Sequence, residues 1–174
     1  MDFVIEQRLV GPPARVQDAL LDPEFVAASA QLPKLGDAEL LERQRDATTA
    51  RLRVRLRFTG SLAPAVTAVV DPARLTWVDV ASFDLVGLRA EHRIEPDHYA
   101  DRLSCGYSSE LAASGTGTHR TLRGSVKVRM LLVGGKVEGA IVSGLREHAA
   151  AEAVLLDAWL RPGTPRSGGD AASS

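Results

Sequence analysis

One cysteine, Cys105, stands among the 174 residues, so no disulfide forms within the chain and no zinc site is built on paired cysteines. A lone thiol fits a reducing compartment, and we expect a cytoplasmic protein. Aromatic residues are scarce at 5% and the net charge is only −1, which removes any global pull toward nucleic acid or an anionic membrane. No stretch approaches the ~20 apolar residues needed to cross a bilayer, so no stable membrane insertion is expected. The N-terminal MDFVIEQRLVGPP opens with an acid and lacks a long apolar run and a cleavage pattern, so it does not read as a signal peptide.

What is present is ordinary globular composition, 45% hydrophobic and 25% charged. This length suits one domain, which buries roughly 70% of its unfolded surface without disulfides. We place that domain at residues 1–161. Residues 162–174, PGTPRSGGDAASS, form a Pro/Gly/Ser tail with nothing to bury, expected to be disordered.

Hydrophobic periodicity orders the domain. Phe3–Val10 reads as a strand stopped by Gly11-Pro12-Pro13, and two short helices follow. The second has Asp22 as its cap and Pro23 at its first position. From Asp37 the period is two. Residues 51–58, RLRVRLRF, alternate strictly, with Leu52, Val54, Leu56 and Phe58 on one face and four arginines on the other. Further strands are expected over about 75–83, 88–95 and 102–111, and a last one carries Leu122, Gly124, Val126, Val128 and Met130 on one face. Gly134-Gly135 then opens the longest helical pattern, ending at Pro162. At 100° per residue, Val137, Ile141, Leu145, Leu155, Leu156 and Trp159 share a sector of about 100°. Strands with one apolar face need a cover, and this helix has the stripe to supply it.

This order, with the strings LPKLG (32–36), RLRVRLRFTG (51–60), AVVDPARLTWV (68–78) and VGGKVEGAIVSGLREH (133–148), resembles the START-like (SRPBCC, helix-grip) superfamily. That superfamily includes polyketide cyclases, lipid-transfer domains and the birch-pollen-allergen fold, and the strings look like an uncharacterised bacterial family within it. The resemblance implies an α+β fold: a curved antiparallel sheet of about seven strands around a long C-terminal helix, with two short helices after the first strand. It also implies a cavity between sheet and helix.

A site should appear as polar residues where the pattern wants apolar ones. His92 sits between Ala90 and Ile94 on one inward face, and Tyr107 between Cys105 and Ser109 on another. On the long helix His148 and Glu152 lie at about 20° and 60° from Val137, near the centre of the apolar stripe and four residues apart. A buried carboxylate needs a partner, and His148 is the natural one on this spacing. The expected function is binding or carriage of an apolar small molecule, such as a lipid, polyketide or isoprenoid. Leu52, Val54, Leu56, Leu103, Val126, Val128, Ile141, Leu145 and Trp77 would line the pocket, and His92, Tyr107, His148 and Glu152 would orient a polar end.

Two alternatives compete. One is a cyclase- or dehydratase-like enzyme using His148 and Glu152 as an acid–base pair. The other is a surface module using the arginine face, which serves equally as a solvated face that keeps the sheet from pairing with other chains. The same His148/Glu152 spacing with His92 as a third ligand is the one pattern that suggests a metal, but HExxH is absent and no metal or cofactor is expected. No catalytic residue is assigned, and nothing in the sequence sets an oligomeric state.

Overall fold

The first strand, β1 (Asp2–Val10), stops at Gly11, whose φ of +80° is open to glycine and turns the chain into two prolines. Pro13 opens helix α1 (Pro13–Leu20) and Pro23 opens α2 (Pro23–Ser29). Asp22 caps α2 as expected, its carboxylate accepting the Glu24 backbone N–H at 2.9 Å. The structure, a computed structural model, describes residues 1–161 except 63, 69 and 132. The expected disorder of 162–174 lies outside the described residues.

Strands β2 (Leu35–Arg45) and β3 (Thr49–Phe58) form a hairpin whose turn is held by Asp46. Its carboxylate accepts from the backbone N–H of Thr48 and Thr49 at 2.8 and 2.7 Å and from both hydroxyls. These bonds, led by the Thr48 amide, bring its pKa down to about 2. A one-turn helix α3 (Pro64–Thr67) and a tight turn at Pro72–Arg74 follow. Four residues are too few to show a helical period, and α3 went unseen in the sequence. It brings Val66, with Val70 just after it, against Val137 to close one end of the molecule.

The chain then runs through β4 (Thr76–Asp84), β5 (Arg89–Pro96), β6 (Leu103–Ser114) and β7 (Gly117–Val128) into α4 (Gly134–Leu160). The last strand ends at Val128, two residues short of Met130. All seven strands form one antiparallel sheet in the order β1-β7-β6-β5-β4-β3-β2. Every neighbour is therefore a chain neighbour except β1, which pairs with β7.

The alternation of β3 holds as read, with Ala50 and Leu52 buried and the arginines outward. In β4 both faces are apolar: Val78 and Val80 are also buried, on the outer face opposite Arg55 and Arg53. Arginine stems can cover apolar surface while the guanidinium stays at water. Gly124 is needed where β6, β7 and β1 meet. A Cβ there would collide with the Gly106 carbonyl, the Tyr107 Cβ and the Phe3 ring. Its absence lets Tyr107 lie against the sheet beside Phe3.

Candidate functional site

Helix α4 packs against β1, β7 and α1, while α2 leans on β2. Between α4 and the β3–β5 part of the sheet a cavity of about 140 Å³ remains. Its walls are mostly apolar, including Phe3, Ile5, Phe25, Leu52, Val54, Leu56, Phe83, Leu122 and Leu145. Four polar residues read from the sequence, His92, Tyr107, His148 and Glu152, all reach this one cavity, from β5, β6 and α4. Leu103, Val126, Val128 and Ile141 do not line it. They fill the contact between α4 and the sheet, where Val126 is wholly excluded from solvent. Trp77 also stands apart, half-buried opposite Leu56 and Pro96 at the start of β4.

Sequence reasoning missed Asp79, Arg120 and Gln7, and these complete the polar cluster. His92 Nδ1 lies 3.1 Å from both carboxylate oxygens of Asp79, and the Tyr107 hydroxyl donates to Asp79 Oδ2 at 3.3 Å. The His92 ring stacks on Tyr107, with centroids 4.2 Å apart and planes 8° from parallel, and meets the edge of Phe83. Arg120 projects inward from β7 and is 4% exposed. It donates to Glu152 at 2.6 Å, to Gln7 at 3.2 Å and, through Nε, to Ser109 at 3.0 Å. Gln7 in turn donates to the Ala149 carbonyl of α4 at 2.5 Å. One network thus ties β1, β6, β7 and α4.

Glu152 takes Arg120 of β7, not His148 one turn away on its own helix, as its hydrogen-bond partner. Burial pushes Glu152 up, but Arg120 and then His148 outweigh it, so the carboxyl sits below its ordinary range. Burial lowers His148 despite Glu152 pulling the other way, and the ring is neutral near pH 7. Tyr107 is raised well above the usual phenol by burial and then by Asp79, and remains a hydroxyl. Burial and then Asp79 push the Cys105 thiol up to about 11, so it is held as the thiol near pH 7. Two ring nitrogens in the cluster, His92 Nε2 and His148 Nδ1, are buried and have no hydrogen-bond partner.

Other surfaces offer less. Three of the four arginines on β3 meet acids: Arg53 faces Glu42 and Glu95, Arg55 faces Asp97, and Arg57 faces Asp37. That leaves the face little net charge with which to track phosphates. Two wider hollows, of about 460 and 650 Å³, lie over this face and at the β2–β3 turn, but they are open to water and lined mainly by polar and charged residues. Among the described residues no group of three or more His, Cys, Asp or Glu side chains is arranged to hold a metal ion, so His92, His148 and Glu152 do not form one. No helix among them is long and apolar enough to cross a membrane.

A seven-stranded antiparallel sheet around a long C-terminal helix, with a mostly apolar cavity between, is the helix-grip fold. Within that class the chain belongs to the family described as "Protein of unknown function (DUF2505)", whose model matches residues 5–160. Among solved structures it is similar to TTHA0849 from Thermus thermophilus, with a TM-score of 0.65 and 15% identity over 92% of this chain and 100% of that one. It is also similar to the ZhuI aromatase/cyclase from Streptomyces sp. R1128, at 0.60 and 10% over 91% and 92%. A third is Ara h 8.0201, at 0.55 and 14% over 90% and 97%. At these identities the likeness is one of fold. No curated protein matches the sequence.

Proposed function

We propose that this protein binds a small, largely apolar molecule in the helix–sheet cavity, with one polar group held by His92 and His148. The observation that carries this reading is the pair of unpartnered imidazole nitrogens on two residues that line a mostly apolar cavity. A buried polar atom left unpaired costs about 1–3 kcal/mol, and a ligand hydroxyl or carbonyl removes that cost. Size narrows the choice among lipids, polyketides and isoprenoids. An apolar cavity of about 150 Å³ accommodates one benzene ring, so 140 Å³ suits a single ring or a compact isoprenoid end better than a long acyl chain. Charge narrows it further. Asp79 and Glu152 already outnumber Arg120, so a neutral polar group is favoured over a carboxylate. A cytoplasmic site of action belongs to the same reading and rests on the unpaired Cys105.

Native mass spectrometry of freshly purified protein, with extraction of anything bound, tests for a natural occupant at one per chain. Titration with phenol and benzene tests the polar anchor. Replacing His92 with Phe should weaken phenol about fivefold, the loss of one ordinary hydrogen bond, and leave benzene unchanged. Equal losses for both probes, or no binding of either, would overturn this reading.

A further inference from the structure

We propose that the solvent face of α4 is a docking surface for a second copy of this chain, the two helices packing antiparallel about a twofold axis between Arg146 and Glu147. The proposal is independent of the pocket reading above. While α4 turns His148 and Glu152 to the cavity, its opposite side leaves Ala140, Ser143, Ala150, Val154 and Ala158 exposed, Val154 to 72%. A helix side that meets only water is normally charged or polar at most positions. Between Lys136 and Asp157 this side exposes only two charged residues, Arg146 and Glu147, next to each other at its middle. The surface is thus apolar along most of its length, with charge at its centre and at its two ends.

The order of charge along this face selects the partner. An antiparallel copy centred between residues 146 and 147 sets Arg146 opposite Glu147 of the second copy, and the reverse. The same register sets Lys136 opposite Asp157 of the second copy at both ends, so each of these four charges meets its opposite. It also seats Val154 against Gly139 and Ser143 against Ala150, where small residues admit a close approach. A parallel copy would set Lys136, Arg146, Glu147 and Asp157 each against itself. One patch that complements itself about a twofold axis is the surface of a closed dimer. A crossing angle of about 20° keeps the two helices side by side from the central pair to the ends. Lys136 and Arg146 have no ion-pair partner among the described residues of their own chain. Glu147 lies 2.6 Å from Lys34 but stays half exposed, and Asp157 binds the Val10 amide through one oxygen. Each carboxylate therefore has acceptor capacity left for a second cation.

Sedimentation velocity of the full chain over a range of concentrations measures the association. A reversible dimer should form and weaken as salt is added. Arg146→Glu, and separately Glu147→Arg, should weaken it by about tenfold or more, because each sets like charges together twice about the axis. The double variant Arg146→Glu/Glu147→Arg exchanges the two signs and should return association to within a few-fold of the wild type. Damage to the helix itself would not be repaired in that way. Lys136→Glu disturbs no ion pair within the chain and should weaken the dimer severalfold, which covers the case in which Glu147→Arg upsets the loop of Lys34. All three positions are exposed, and circular dichroism checks that each variant is folded. A chain that is monomeric at every concentration overturns the proposal. So does a dimer indifferent to all three single changes, or one that the double exchange fails to restore.

Discussion

Where α4 lies on β1 and β7, Val126 and Val142 are buried in the contact and stand outside the cavity wall. Where it faces β4 and β5, Asp79, His92, His148 and Glu152 stand on the same inward faces, and a cavity opens. Apolar side chains interdigitate in many rotamer combinations until density is uniform, whereas hydrogen-bonded groups must hold particular distances and angles. The network around Arg120 therefore acts as a spacer, keeping helix and sheet at a separation set by bond lengths rather than by packing.

The strongest way to break this contrast is to remove the spacer's centre. Arg120→Met leaves Glu152 buried without its partner and should cost about 3–5 kcal/mol in urea unfolding. Adding Glu152→Leu should recover most of that loss and shrink the cavity, since a well-packed apolar pair often matches a buried ion pair. A double variant no more stable than Arg120→Met alone would show that the network is not a replaceable spacer. Next in size is a paired deletion. Leu156→Ala, at a position with no solvent exposure, should cost about 2–5 kcal/mol. Leu145→Ala, on the cavity wall, should fall at or below the low end of that range, because the void it enlarges already exists. Equal costs would mean the two halves are packed alike.

The smallest effect is pH-dependent. His148 is lowered below its ordinary value by burial, with Glu152 of α4, Arg120 of β7 and Asp79 of β4 acting on it. The unfolded chain therefore binds more protons than the native one as pH falls below about 6.5. Stability from this group is full above that pH and is lost as pH drops toward the lowered native value. Between pH 7 and 5, urea midpoints of the wild type should fall more steeply than those of His148→Gln. Parallel slopes would show that the imidazole is not held neutral by the fold.

Much of this was legible in the chain. The arginine strand, the Asp22 cap and the long helix follow from local pattern, and His92, Tyr107, His148 and Glu152 stood out as polar interruptions of apolar faces. Strict use of the same rule would have found more. Carrying the alternation of Leu122 and Val126 one step back places Arg120 inward, and Phe3, Ile5 and Leu9 place Gln7 inward. Asp79 was hidden because Val78 and Val80 make both faces of β4 apolar, which erases the period. The partner of Glu152 was beyond local reasoning, since Arg120 lies 32 residues away on another element. Cavity size was likewise beyond it, because it depends on how far the helix stands from the sheet.

The strand order also carries a kinetic consequence. From β2 to β7 each strand pairs with the next in the chain, so these contacts close short loops. The β1–β7 seam joins residues such as Gly11 and Thr118, 107 positions apart. Long-range pairing of this kind is the slow, entropically expensive part of forming a β-rich topology. Gln7 and Arg120 bond across that seam. The polar network is complete only when the N-terminal strand docks, so a chain that has formed its hairpins but not this seam has a sheet and no pocket.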